Sequence, residues 1–167
     1  MKINFSDAGC QTTSSRKKFG LCDDPPPKSS PAYIDELDGA KWIAVVVNDE
    51  RHEVTFTSID NCIPITKPDG RRAKRCDGVL MHGSSVIFIE LKARASGSDW
   101  VKEGEKQLRE TICHFEQEEE TSQYSKKKAY VANSERPKFR ASQTRRMEQF
   151  FNDTGYILRI ENRIVLE

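Results

Sequence analysis

The sequence predicts an α/β (α+β) domain with a central mixed β-sheet flanked by helices. Three observations predict it. β-Branched and aromatic runs recur at Trp42–Val47, Val54–Ile59, Val86–Leu91 and Ala129–Ala132. Between the last two, Val101, Leu108, Ile112 and Phe115 fall at helical spacing. The resulting order is helix, strands, helix, strand, helix, strands, which suits a layered α/β or α+β fold. A chain of 167 residues is enough for one domain with a modest core. Charged residues make up 32% of it, but the 36% that are apolar come in defined runs, which excludes wholesale disorder. The net charge of +1 selects no partner by itself. The charges are unevenly placed, with basic clusters at 71–75, 126–128 and 136–146 and an acidic run at 116–120.

Residues 1–30 read as an extended or mobile N-terminal segment, with a short strand at Ile3–Phe5 and Pro25-Pro26-Pro27 near its end. Residues 31–167 read as a single domain. Ala32–Leu37 is expected as a short helix stopped by Gly39. Trp42–Val47 and Val54–Ile59 are expected to pair as a hairpin through the turn residues Asn48 to Arg51. Lys67–Arg75 is a basic loop. Ser98 or Asp99 is expected to cap a helix starting near Trp100 and dissolving in the 116–120 run. Thr144–Asn152 is expected as a helix with Met147, Phe150 and Phe151 inward. Tyr156–Ile160 and Arg163–Leu166 are expected to close a terminal hairpin through Glu161-Asn162.

The N-terminal Met-Lys-Ile-Asn-Phe-Ser-Asp has no apolar core of a signal peptide, and no run reaches the ~18 apolar residues of a membrane span. Cys10, Cys22, Cys62, Cys76 and Cys113 are odd in number and contain no Cys-x-x-Cys pair. They are expected as reduced thiols in a cytoplasmic protein. Cys113-His114, His52 and His82 lack the paired spacing of a zinc site and are expected to hold no metal.

The densest chemistry lies in Cys76-Asp77-Gly78-Val79-Leu80-Met81, His82-Gly83-Ser84-Ser85 and Val86-Ile87-Phe88-Ile89-Glu90-Leu91-Lys92, which reads as a tight hairpin. Alternate strand residues share a face, so Glu90 and Lys92 point the same way, with Val86 and Phe88. Ile87, Ile89 and Leu91 are expected to face a helix. A two-residue turn at Gly83-Ser84 and a four-residue loop from His82 to Ser85 give the same register, with Asp77 opposite Glu90. Opposed residues have Cβ atoms roughly 5 Å apart. Two carboxylates at that separation repel unless a cation sits between them, and Mg²⁺ or Mn²⁺ accepts such hard oxygen ligands.

Asp, then a hairpin, then Glu-Leu-Lys resembles the PD-(D/E)xK nuclease superfamily over about residues 32–132. The resemblance implies a restriction-endonuclease-like core and Mg²⁺-dependent hydrolysis of phosphodiester bonds, with Asp77, Glu90 and Lys92 matching the motif's acids and lysine. It further implies a polar residue on the following helix, for which Gln107 stands on one face with Gly104 and Thr111. It also implies a metal-binding Glu on the first helix, where Glu36 stands with Asp35 beside it. Cys76 replaces the motif's Pro. Pro68-Asp69-Gly70 spells the motif's opening literally but has turn chemistry and no strand to face Glu90. Arg71, Arg72, Lys74 and Arg75, which run into Asp77, and Lys126, Lys127 and Lys128 are expected to grip phosphates, in DNA rather than RNA. So small a chain has little room for a specificity domain, which points to a homo-oligomer or a subunit of a larger complex. Two other readings stand beside this one. One is an inactive nuclease-like module that binds nucleic acid or a partner protein. The other is a small interaction or immunity-type protein.

Overall fold

The computed structural model describes residues 3–24, 30–93, 100–118, 121–135 and 141–167, with side chains of the last segment from 143 onward. The protein is mixed α/β, with two sheets and two helices among the described residues. The strands are β1 (Gln11–Ser14), β2 (Lys18–Cys22), β3 (Tyr33–Asp35), β4 (Ala44–Val47), β5 (Val54–Ser58), β6 (Gly78–His82), β7 (Ser85–Lys92), β8 (Lys126–Asn133), β9 (Ile157–Ile160) and β10 (Arg163–Val165). The helices are α1 (Trp100–Glu118) and α2 (Ala141–Thr154). A six-stranded sheet runs β1-β5-β6-β7-β8-β9, antiparallel as far as β7 and parallel from β7 to β9. A four-stranded sheet runs β10-β4-β2-β3.

Three layers result. On one face of the six-stranded sheet, Val79, Val86, Phe88, Ala129, Val131 and Leu158 form a core with Leu108, Ile112 and Phe115 of α1 and Phe150 of α2. On the other face, Phe56, Leu80, Ile87, Ile89, Leu91 and Ala132 pack on Phe19, Leu21, Ala44, Val46 and Ile164 of the smaller sheet. The helix was expected over Ile87, Ile89 and Leu91; it lies over Glu90's face instead, and the opposite face is covered by a second sheet rather than by helices. β7 reads as an unbroken apolar run because it is buried on both faces.

The second sheet accounts for the other departures. Residues 3–24 are not a loose lead-in: β1 extends the six-stranded sheet, β2 is central to the smaller one, and Phe5 is fully buried. Pro25 to Pro27 lie outside the described residues, as do Ser98 and Asp99. Residues 3–5 form no strand. The 32–37 stretch is β3, paired with β2, rather than a helix. A helix that short has no independent stability. The Asp35 carboxylate instead accepts bonds from Leu37 N, Asp38 N and Trp42 Nε1, which turns the chain. These donors, Trp42 first, lower its pKa to about 2.

β4 and β5 do not pair. Asn48 bonds Arg16 O and both backbone groups of His52, holding a wide turn that carries the chain between sheets. The terminal strands separate likewise: β9 joins β8, and β10 joins β4. Phe151 is 50% exposed rather than inward. α1 continues through Glu118, and Glu116, expected to be frayed, accepts bonds from Lys127 and the Tyr156 hydroxyl.

Cys10 and Cys62 form a disulfide, contrary to the expectation of reduced thiols. Their separation of 52 residues gave no spacing signal. Cys22 and Cys76 are buried thiols and Cys113 is exposed. No helix among the described residues is long and apolar enough to cross a membrane.

Candidate functional site

The β6–β7 hairpin has the predicted register. His82 pairs with Ser85 and Gly78 with Ile89 around a two-residue turn whose first residue, Gly83, has φ +53. One step beyond Gly78, Asp77 meets Glu90. The Asp77 N–H donates to Glu90 Oε1 at 3.2 Å, and Leu91 N donates to Asp77 Oδ2 at 2.7 Å. Asp77 O accepts from Ile59 N, which extends the β5–β6 pairing. The helix fixes the same point. Thr111 Oγ1 accepts from Cys76 N at 2.9 Å and donates to Gln107 O at 2.8 Å.

Lys92, two residues beyond Glu90, places Nζ 3.0 Å from Glu90 Oε2 and 3.0 Å from Gln107 Oε1. Gln107 Nε2 donates to Arg75 O at 3.3 Å. Gln107 is thus a clamp joining strand, helix and basic loop. Gly104, one turn earlier, makes the approach possible. A Cβ there would lie 2.9 Å from Val131 Cγ1 and 3.4 Å from Glu90 Cγ. The structure therefore brings together Asp77, Glu90, Lys92 and Gln107.

The carboxylates are buried and near one another. Burial is the main force raising Glu90 to about 7, opposed by the Lys92 ammonium. Burial and then Glu90 push Asp77 well above the carboxylate range, opposed by the Leu91 N–H. Asp23, half-buried just after β2, hydrogen-bonds Asp77, and burial followed by Asp60 raises it too. Burial disfavours the charged forms of these acids, a cost that a bound cation would offset. Asp23, Asp60 and Thr111 were missed by sequence reasoning. Asp23 lay in the segment read as a lead-in, and its only sign was an acidic pair closing the apolar Phe19–Cys22 run.

Other expected members lie elsewhere. Glu36 accepts from Ser14 Oγ and pairs with Arg16 at 3.1 Å. Ser14 pairs with Val54, at the His82 end of the sheet, so Glu36 is anchored about 17 Å along the strands from Asp77. Lys126, Lys127 and Lys128 start β8 opposite Ser85, Val86 and Ile87, about 10–17 Å before Glu90. Lys127 pairs with Glu116, while Lys126 and Lys128 lie near Glu167. All three precede the Glu90–Lys92 end of the sheet.

The basic loop does border the site. A cleft of about 510 Å³ is lined by Lys92, Gln107, Asp60, Arg72, Lys74 and Glu103, with Ala73 and Arg75 completing the wall. Most of the loop's charge is spent internally. Arg71 pairs with Asp69 at 2.6 Å, Lys74 with Glu103 at 3.5 Å, and Arg75, 8% exposed, with Asp60 at 3.0 Å. Asp69 is a turn residue, accepting from Arg71 N, as its Pro-Asp-Gly context predicts.

Among the described residues no group of three or more His, Cys, Asp and Glu side chains is arranged around a metal position. The donor set nevertheless fits a divalent cation. Asp77 and Glu90 supply two buried hard-oxygen ligands whose mutual repulsion a cation relieves, and Mg²⁺ bound by proteins commonly takes one or two carboxylates and fills its shell with water and phosphate. His52 and His82 stack at 4.7 Å. No family model, curated protein or solved structure matches this chain.

Proposed function

We propose that this chain is a metal-dependent nuclease of the PD-(D/E)xK type that hydrolyses phosphodiester bonds, in DNA before RNA. The observation that carries the reading is the hairpin register that sets Asp77 against Glu90 with Lys92 two residues beyond. Asp77 and Glu90 would hold Mg²⁺ or Mn²⁺. Such an ion, when bound, activates water and offsets charge on the scissile phosphate. Lys92 points its ammonium into the cleft, where it orients the attacking water or stabilises the charge that develops. Gln107 holds Lys92 at that position through Oε1 and ties it to Arg75 O through Nε2. The restriction-endonuclease-like core belongs to this proposal: the parallel β7–α1–β8 crossover is consistent with it, whereas the second sheet is this chain's own addition.

The test is cleavage of plasmid and RNA in Mg²⁺ or Mn²⁺ by wild type, Glu90→Ala and Lys92→Ala. Cleavage by wild type and loss in both variants is expected. Equal activity in all three would refute the reading. One observation favours the runner-up, a binding module without catalysis: Glu36, the metal-binding acid expected before the hairpin, is remote from Asp77 and Glu90. Nucleic-acid binding without cleavage or metal-induced stabilisation would select it.

A further inference from the structure

Two hollows adjoin across Arg72 and Arg75, which line both. One is the charged cleft over Lys92. The other, of about 380 Å³, contains no carboxylate; Asn61, Cys62, Pro64 and Thr66 and the edges of Ile63 and Ile65 form its remaining walls. This second hollow is held on several sides. The Cys10–Cys62 disulfide ties down one wall. Arg75 donates to Ile63 O and pairs with Asp60, and Ala73 N bonds Ile65 O. A pre-formed hollow without carboxylates thus lies next to one that has them.

Arg72 stands between them and differs from its neighbours. Arg71, Lys74 and Arg75 are each paired with an acid. Arg72 is exposed, and among the described residues its guanidinium makes no hydrogen bond or ion pair. A guanidinium can meet a phosphate edge-on and a base face-on at once, which an ammonium cannot. A base within a duplex offers only its edges, whereas an unpaired base offers a flat face to an aliphatic wall.

We infer that the substrate is a single strand. The scissile phosphate lies in the cleft by Lys92, and the adjacent unpaired base enters the 61–66 hollow beneath the Arg72 guanidinium. This rests on the nuclease reading of the same site and adds the substrate class to it.

The experiment measures cleavage in Mg²⁺ of short single-stranded DNA, single-stranded RNA and the matching DNA duplex, with wild type, Arg72→Ala, Arg72→Lys and, on the smaller sheet, Arg163→Ala, each checked for folding by circular dichroism. Single strands are expected to be cut about tenfold faster or more than duplex, with one abasic nucleotide beside the scissile bond removing about tenfold. Arg72→Ala loses both this base effect and some salt dependence. Arg72→Lys keeps the salt dependence but loses the base effect, and Arg163→Ala stays within about twofold of wild type. The more rapidly cut single strand identifies the sugar. Duplex cut as fast as single strand, or Arg72→Ala equal to wild type, overturns the inference and leaves the nuclease reading standing if cleavage still needs Lys92. Absence of cleavage on every substrate overturns both.

Discussion

Glu90→Gln should make the metal-free protein more stable at pH 8 while abolishing cleavage. Glu90 is almost fully buried, and burial raises its pKa from 4.5 to about 7 despite the Lys92 ammonium 3.0 Å away. A raised acid pKa means that the folded protein holds a proton the unfolded chain has released. Stability from this group is therefore complete below pH 4.5 and is lost as pH rises through about 7. At about 1.4 kcal/mol per pKa unit, the loss reaches about 3 kcal/mol at pH 8. Glutamine keeps an acceptor for Asp77 N and carries no charge to desolvate. Its advantage should vanish near pH 4 and grow to that value at pH 8, on the order of 6–10 °C in Tm for a chain this size. Mg²⁺ should reverse the order, because it stabilises only the protein that binds it, by about 4.1 kcal/mol at a thousand times its Kd. Thermal melts of both proteins from pH 4 to 8, with and without Mg²⁺, measure this. A Glu90→Gln protein less stable than wild type at pH 8, or a stability difference that does not vary with pH, would refute the reasoning.

Gly104→Ala gains helix propensity of about 1 kcal/mol but drives a Cβ to 2.9 Å from Val131 Cγ1, so a net loss of about 1–2 kcal/mol in urea melts and slower cleavage through a displaced Gln107 are expected. Cys62→Ser opens a loop of 52 residues, and the chain-entropy estimate of about 4 kcal/mol is the upper bound on the stability lost in non-reducing melts, with wild type in dithiothreitol falling to match. His82 is held below its ordinary 6.5 by burial, then by His52 stacked at 4.7 Å, then by Lys126. Its contribution is complete above pH 6.5 and falls as pH drops below it. His82→Phe should therefore flatten that acid-side decline relative to wild type. Lys127→Ala should leave cleavage within about twofold of wild type while lowering Tm, since Lys127 serves Glu116 rather than substrate.

The site was legible because its determinants are local. Two strands joined by a two-residue turn have a register that pure counting gives, and Gln107's helical face follows from the spacing of Gly104 and Thr111. What sequence could not yield was everything set by the second sheet. Val54–Ser58 alternates like half of a hairpin with Ala44–Val47, and nothing local says that Asn48 will send the two strands to different sheets. The face of Ile87, Ile89 and Leu91 is apolar whether a helix or a sheet covers it. Glu36 looked eligible by position, but Ser14 and Arg16 hold it at the wrong end. Asp23 looked like a linker residue because its neighbours are prolines. These are long-range facts, in which tertiary pairing overrides a weak local pattern.

The second sheet also explains why the site opens where it does. β7 pairs antiparallel with β6 on one side and parallel with β8 on the other. β6 begins only at Gly78, so beyond Ile89 the β7 backbone has lost its regular partner on that side. Asp77 fills the place with its carboxylate, accepting Leu91 N. The same change of partner leaves Glu90 and Lys92 without a β6 side chain over them, and α1 closes on them only as near as Gly104 and Gln107 allow. The far face is covered by the smaller sheet, and residues 72–75 border the cleft. Crevices at the carboxyl ends of strands, where pairing changes sense, are favoured ligand sites in open α/β sheets. Lys92 and Gln107 line this charged crevice, with Glu90 bonded to Lys92 and Asp77 beside it. Burying both acids costs stability in the metal-free protein, and buried acids with raised pKa values beside a cleft mark a candidate functional site.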